Sequence, residues 1–171
     1  MIRLTDWLPS AASVCRETVH FATWRISSWQ APLTEAERGT VTAVLHQRKD
    51  QRCELLAFVV MDDHVHVLMR CREVPVDRVL ESMKSFTAHA LREQPGRSGA
   101  IWQRETFHRR VVDENDLRAR AHYIAGNPWK RWPFVERYPW VWEASPQVQA
   151  WHPEKTGLAG SLARVVAAVR Q

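Results

Sequence analysis

The stretch Leu55-Leu56-Ala57-Phe58-Val59-Val60-Met61-Asp62-Asp63-His64-Val65-His66-Val67-Leu68-Met69-Arg70 constrains the fold more than any other part of the chain. Its first half, Leu55 to Met61, is short, β-branched in part and bounded by polar residues, which predicts a buried strand. Asp62-Asp63 suits a tight connection, because Asp tolerates turn geometry and bonds its own backbone. From His64 the pattern has period two, so His64 and His66 share one strand face while Val65 and Val67 share the other. The two runs are therefore expected to pair as an antiparallel hairpin. Two imidazoles side by side just past a turn make a small metal clamp, and a site built on them needs at least one more ligand from elsewhere. A lone strand histidine is commonly structural. Two in an otherwise apolar strand are costly to bury unless they have partners.

The rest of the chain can be arranged around this hairpin. Arg16 to Ile26 is rich in β-formers and reads as the first strand. Thr34 and Glu37 form a capping box that opens a helix to about Arg48, with Val41, Val44 and Leu45 inward. The second strand runs from Arg52 to Met61 and the third from His64 to Arg72. Pro75-Val76-Asp77 opens a second helix whose stripe (Val76, Val79, Leu80, Met83, Phe86, Thr87, Ala90, Leu91) recurs at helical spacing, so Met83 and Phe86 read as core. Gln94 to Ala100 reads as a loop. Ile101-Trp102 together with Thr106 to Val112 reads as a fourth strand. A third helix is capped by Asp113 or Asn115 and is expected to stop at Asn127, before Pro128. A Trp/Pro-rich tail follows, with a last short helix expected from Leu158 to Val169. This order is the split βαβ, or ferredoxin-like, plan of the α+β class: a four-stranded antiparallel sheet with helices on one face, plus the third helix and the tail. Residues 1–142 are expected to form the domain and 143–171 the tail.

At 171 residues the chain is long enough for one domain with a real core, and 45% hydrophobic with 25% charged residues is ordinary for such a domain. The net charge of +5 permits an acidic partner such as nucleic acid without demanding one. Its distribution says more: between Arg92 and Arg131 nine basic residues face five acidic ones, so that segment carries +4 of the total. Cys15, Cys53 and Cys71 have no CxxC spacing, which argues against a disulfide framework or a zinc finger and for a reducing compartment. With no apolar leader and no stretch of membrane-spanning length, the expected location is cytoplasmic, with no membrane partner.

The third helix supplies what the hairpin lacks. Tyr123 and Asn127 are four residues apart and so lie on one helical face, while Leu117, Ala121 and Ile124 fall on a different, buried stripe. Tyr123 is one of only two tyrosines, and Asn127 offers an amide oxygen. Arg109, Arg110, Arg118 and Lys130 stand nearby in sequence to meet phosphates. Cleavage of a phosphodiester by a side-chain hydroxyl needs such parts. A phenol can attack phosphorus and later leave, so a 5′-phosphotyrosine intermediate conserves the bond energy for rejoining. A divalent cation would polarise the scissile phosphate, and Mg2+ or Mn2+ suits that chemistry better than a closed zinc site. Three other readings compete. A histidine-triad hydrolase would need a third histidine where Leu68 stands. An HxH metal-dependent hydrolase would need a further ligand such as His20, His89, His108 or His122. A non-catalytic single-stranded nucleic-acid-binding module would place aromatics at the middle of the sheet.

His64-Val65-His66 after an apolar strand resembles the HUH signature, in which the middle residue is a bulky hydrophobe. Tyr123-Ile124-Ala125-Gly126-Asn127-Pro128 is similar to the YIxxNP helix of the REP-associated tyrosine transposases, the single-tyrosine branch of the HUH transposases. Phe58 to His66, Ile101-Trp102-Gln103-Arg104-Glu105-Thr106-Phe107, Ser82-Met83-Lys84-Ser85-Phe86-Thr87 and Tyr138-Pro139-Trp140 resemble other segments of that family. The resemblance covers about residues 18–142. It implies a ferredoxin-like fold and metal-dependent nicking and joining of single-stranded hairpin or REP-like DNA. It also implies Tyr123 as nucleophile, His64, His66 and Asn127 as ligands of Mg2+ or Mn2+, and a monomer or a homodimer. Two positions depart from the pattern. Gly126 sits inside the catalytic helix, at a cost of roughly 1 kcal/mol relative to Ala, and His108 stands where relatives frequently have Asp. Lys84, Arg104, Arg109, Arg110, Arg118, Lys130 and Arg131 are the candidate DNA contacts. Trp129 and Trp132 alternate with Lys130 and Arg131 and are candidates either to stack bases or to anchor the tail.

Overall fold

The computed structural model describes residues 17–47 and 53–144. In chain order these form β1 (Glu17–Arg25), α1 (Glu35–Gln47), β2 (Cys53–Val60), β3 (His64–Arg72), α2 (Val76–Arg92), β4 (Phe107–Arg110), α3 (Glu114–Arg131) and β5 (Val141–Glu143). The strands make one antiparallel sheet in the order β4-β1-β3-β2-β5. The first four follow the ferredoxin-like order expected from the alternation of strands and helices. The fifth is an addition. Val141–Glu143 pairs with Ala57–Val59 of β2, so the sheet has five strands rather than four, and the new one spans the boundary expected between 142 and 143. The helix expected from Leu158 to Val169 lies outside the described residues.

Alternation sorts the side chains onto two faces. Ala22 and Trp24 of β1, Phe58 and Val60 of β2, and Val65, Val67 and Met69 of β3 pack with Val41 and Leu45 of α1 and with Val79, Leu80, Met83 and Leu91 of α2. Phe21 of β1, Ala57 and Val59 of β2, and Leu68 of β3 pack instead with Ala121 and Ile124 of α3. So α1 and α2 share one face, as expected of the two main helices, while α3 covers part of the face that carries His64 and His66. A bulge between Leu55 and Ala57 lets β2 serve both faces in register with β3.

The capping box forms as expected: the Thr34 backbone N–H donates to Glu37 Oε2 at 2.7 Å, and the Glu37 N–H donates to Thr34 Oγ1 at 3.3 Å. Asp113 is the cap of α3, accepting from the Asp116 N–H at 2.8 Å. Three expectations need correction. Ile101-Trp102 does not continue β4; it makes an isolated bridge with the end of β1, with the Trp102 indole N–H donating to buried Thr87 on α2 at 2.9 Å. Phe86, expected in the core, is 55% exposed, because the buried stripe of α2 runs through Val79, Leu80, Met83, Thr87 and Leu91 and leaves it at the margin. Pro128 does not stop α3. The helix continues to Arg131, and the Trp132 N–H donates to the Pro128 carbonyl at 2.7 Å. Proline removes one helical bond, and packing of Ala121, Ile124, Ala125 and Pro128 against the sheet offsets that loss. Among the described residues no helix is long and apolar enough to cross a membrane.

Candidate active site

The face of the sheet that α3 partly covers carries the candidate site. Register places Thr23 of β1 opposite His66 and Arg25 opposite His64, with Phe107 of β4 opposite Thr23 on the far side. The two imidazoles lie 4.5 Å apart, centroid to centroid. Tyr123 comes down from α3 to meet them: its ring is 5.2 Å from that of His66 and 5.9 Å from that of Phe21, edge-on to both. Phe21 in turn stacks on His66 at 5.5 Å. The structure thus brings together His64, His66 and Tyr123, residues separated by more than fifty positions in the chain. Asn127 is buried one helical turn beyond Tyr123, on a helix that packs across β2 and β3. An open cleft of about 500 Å3 leads to the site, with Phe21, Thr23, Arg25, His66, Phe107, Arg120 and Tyr123 among its lining residues.

The state of His66 suits ligation. Burial, reinforced by the charges of His64 and Arg25, lowers the pKa of His66 to about 3, so its ring is neutral at physiological pH. Its Nδ1 is 2.6 Å from Thr23 Oγ1, while its buried Nε2 has no hydrogen-bond partner. An unpaired buried polar atom costs about 1–3 kcal/mol, and a ligand at Nε2 would relieve that cost. His64 Nδ1 donates to Asp63 Oδ1 at 2.5 Å. Burial opposes the charge on Asp63, but the His64 hydrogen bond and the nearby charges of His64, Arg25 and Arg131 outweigh it and hold the carboxyl below its ordinary value. Among the described residues no three His, Cys, Asp or Glu side chains gather to hold a metal, so a cation at the two histidines needs another kind of donor. Asn127 is of that kind. His108 is not available to this site: it pairs with Asp77 of α2 at 2.9 Å, on the opposite face of the sheet, and its ring stands 6.1 Å from that of His20. His89 pairs with Glu93 at 3.3 Å on the exposed side of α2.

The two phenols differ sharply. Tyr123 is 36% exposed and lines the cleft. Tyr138 is 6% exposed and donates to the Val60 carbonyl at 2.7 Å, and burial pushes its phenol well above the ordinary range. Lys130 Nζ sits 4.2 Å from the centre of the Tyr123 ring, so a positive charge faces that phenol.

The candidate DNA contacts fall into three groups. Lys130 faces the site. Arg104 and Arg110 are exposed; Arg110 pairs opposite His20 of β1, on the sheet face that carries His108 rather than the cleft. The others have partners within the chain, Arg118 only an exposed one on its own helix. Lys84 donates to the carbonyls of Gln103 at 2.7 Å and Arg104 at 2.9 Å and to Thr106 Oγ1 at 2.8 Å, pinning the segment that leads into β4. Arg109 pairs with Asp116, Arg118 with Glu114, and Arg131 with Asp62 at 2.7 Å. The tail tryptophans anchor: the Trp129 indole donates to the Val135 carbonyl at 2.9 Å, and Trp132 stacks on Tyr138 at 5.5 Å. Thr23, Asp63 and Arg120 were not singled out from sequence. Asp63 was visible beside His64 but read only as a turn residue. Thr23 could be found only once the register of β1 against β3 was known.

A family model described as "Transposase IS200 like" matches residues 18–127. A curated Haemophilus influenzae protein, a candidate REP-associated tyrosine transposase, is 27% identical over 123 residues, covering 56% of this chain and 70% of its own. Among solved structures, the fold is similar to that of a REP-associated tyrosine transposase bound to a REP hairpin. That match has a TM-score of 0.57 and 19% identity and covers 78% of this chain and 82% of the other. A candidate transposase of Deinococcus radiodurans matches with a TM-score of 0.51 and 18% identity over 70% of this chain and 97% of its own. With the histidine hairpin, most of α3 and every strand but β5 inside the matched segment, which spans more than half of the sequence, the chain belongs to the IS200-like transposase family.

Proposed function

We propose that this transposase nicks and rejoins single-stranded DNA through a 5′-phosphotyrosine intermediate on Tyr123, acting on hairpins of the REP-like kind. In this reading His64, His66 and Asn127 hold a divalent cation, Mg2+ or Mn2+. The observation that carries it is the meeting of an accessible phenol with a buried, neutral histidine whose Nε2 has no partner, their rings 5.2 Å apart. Two imidazoles and one amide oxygen fit a divalent ion that must keep positions open for phosphate and water. When bound, the cation polarises the scissile phosphate and stabilises charge on the departing 3′-oxygen.

The chain's own residues supply the remaining chemistry. The Tyr123 oxygen attacks phosphorus as the P–O3′ bond breaks, and the proton lost by the phenol is balanced by one gained at the 3′-oxygen. The enzyme keeps the 5′-phosphate as a tyrosyl diester, so a 3′-hydroxyl can later attack it and expel the phenol. The Lys130 ammonium, over the Tyr123 ring, is placed to meet a phosphate brought to the phenol. The similarity to a relative solved with a REP hairpin supports a hairpin substrate.

The test mixes the protein with labelled single-stranded hairpins and Mg2+ or Mn2+ and looks for a denaturant-resistant protein–DNA adduct. The expected result is an adduct that Tyr123→Phe abolishes. An adduct persisting in that variant refutes Tyr123 as nucleophile, and hairpin binding with no adduct favours a non-catalytic binding module.

A further inference from the structure

Thr23 lines the cleft and Asp63 lies in the β2–β3 turn, and each is bonded to one of the two histidines through the same ring atom. His66 uses Nδ1 toward Thr23 Oγ1 at 2.6 Å, across the β1–β3 pair. His64 uses Nδ1 toward Asp63 Oδ1 at 2.5 Å, within the turn. We propose that Thr23 and Asp63 are positioning residues that keep both imidazoles in the tautomer with the proton on Nδ1, leaving both Nε2 lone pairs for one divalent cation. The inference rests on the metal reading above and adds to it the residues that prepare the ligands.

A carboxylate has no proton to give, so the Asp63 bond requires His64 Nδ1 to be the donor, and in the neutral ring that leaves Nε2 as an acceptor. Asp63 is itself anchored, with Arg25 donating to its Oδ2 at 2.5 Å and the turn carbonyl of Asp63 accepting from the Ile26 N–H at 2.8 Å. Thr23 is amphoteric, so its hydroxyl accepts from Nδ1–H when the lone pair of Nε2 is needed for a metal. The ring of His66 is 5% exposed and wedged between Phe21 and Tyr123, which restricts its reorientation. The opposite tautomer would bury an Nε2–H with no acceptor at all. Outer-shell partners of this kind fix the tautomer and raise ligand basicity, and losing one typically costs 10–100-fold in metal affinity.

Two measurements on the full chain decide the matter. Two-bond 1H–15N correlation spectra of the metal-free protein read the tautomers directly, and Mn2+ titration followed by electron paramagnetic resonance reads affinity. The expected spectrum has an unprotonated Nε2 on both His64 and His66. Thr23→Val is expected to mix the His66 tautomers and weaken Mn2+ binding by about 10–100-fold, while Thr23→Ser restores both. Asp63→Ala is expected to do the same at His64, and Asp63→Asn, which keeps a carbonyl acceptor, to retain most of the effect. Thermal melts of the metal-free variants matching the parent separate positioning from misfolding. An Nε2–H tautomer in the parent protein overturns the proposal, as does a Thr23→Val variant with unchanged tautomer and affinity. Nδ1–H tautomers in a protein that takes up no Mn2+ support the tautomer assignment and refute the metal reading instead.

Discussion

Substituting Glu37 by Gln tests how the loop that leads to the cleft is held. Arg97 reaches from that loop to the N-terminus of α1, donating from Nε to Glu37 Oε1 at 2.5 Å and from a terminal nitrogen to Oε2 at 2.8 Å. Both side chains are buried, at 6% and 8% exposure, so solvent screens the pair little. The hydrogen bond from Arg97 is the largest influence on Glu37 and lowers its carboxyl from 4.5 to about 2. At about 1.4 kcal/mol per tenfold, that gap is worth about 3 kcal/mol of stability at pH 7. The sign follows from the direction. A carboxyl whose pKa is lower in the folded protein contributes fully above about pH 4.5, and the contribution fades as pH falls toward 2. The Gln variant keeps the acceptor for the Thr34 N–H but loses the charge, so it should be less stable by about 3 kcal/mol at pH 7, with the gap roughly halved by pH 3. Urea unfolding of both proteins across that range measures it. A gap under about 1 kcal/mol at pH 7, or one that does not narrow on acidification, would refute the assignment of this pair as a charged staple.

Lys84→Met removes a cation that reaches three carbonyls and a hydroxyl, and should cost about 1.5–3 kcal/mol in urea unfolding. It should leave the salt dependence of hairpin binding unchanged, because its donors are spent within the fold. Arg104→Ala should do the reverse, lowering the slope of log affinity against log salt by about 0.7–0.9 with little change in stability. Ile124→Ala, at a fully buried position between α3 and the sheet, should cost about 2–5 kcal/mol. The same variant should slow adduct formation, since Tyr123 is the preceding residue.

The parts of the fold that could be read from sequence are those where a periodic pattern and a burial requirement agree. Alternation from His64 to Cys71 reports the two faces of β3 directly, because a one-residue slip would turn Val65, Val67 and Met69 away from the core. The same alternation put His64 and His66 on a shared face, and the spacing of four put Tyr123 and Asn127 on one side of α3. The resemblance built on those residues is borne out by the family match. What escaped was not periodic. Val141–Glu143 is too short to display a strand pattern, and only the free edge of β2 makes it one. Phe86 has a core side chain at a helix position that the sheet does not reach. Lys84 and Arg131 look like surface cations in one dimension, and their acceptors lie nineteen or more residues away in sequence. Pro128 was weighed by its lost hydrogen bond alone, whereas the tertiary seat of α3 decides.

That seat explains how two halves of a site, on different elements, are held in register. The buried side of α3 is built from small and compact residues, Ala121, Ala125, Gly126 and Pro128 with Ile124 between them, which lets the helix approach the sheet closely. Close approach permits an edge contact between Tyr123 and a strand histidine that would otherwise be bridged by larger side chains. The ends are tied separately. Near its start, Asp116 accepts from Arg109 of β4 and from Arg120 one turn on, and at its end Arg131 grips Asp62 of the β2–β3 turn. Both ties join α3 to the strands that carry or flank the histidines, and neither passes through the core beneath α1 and α2. The length of α3 beyond Pro128 therefore matters to the site. A helix stopped at Asn127 would leave Lys130 and Arg131 outside it, removing both the cation over the phenol and the bond to the turn that presents His64.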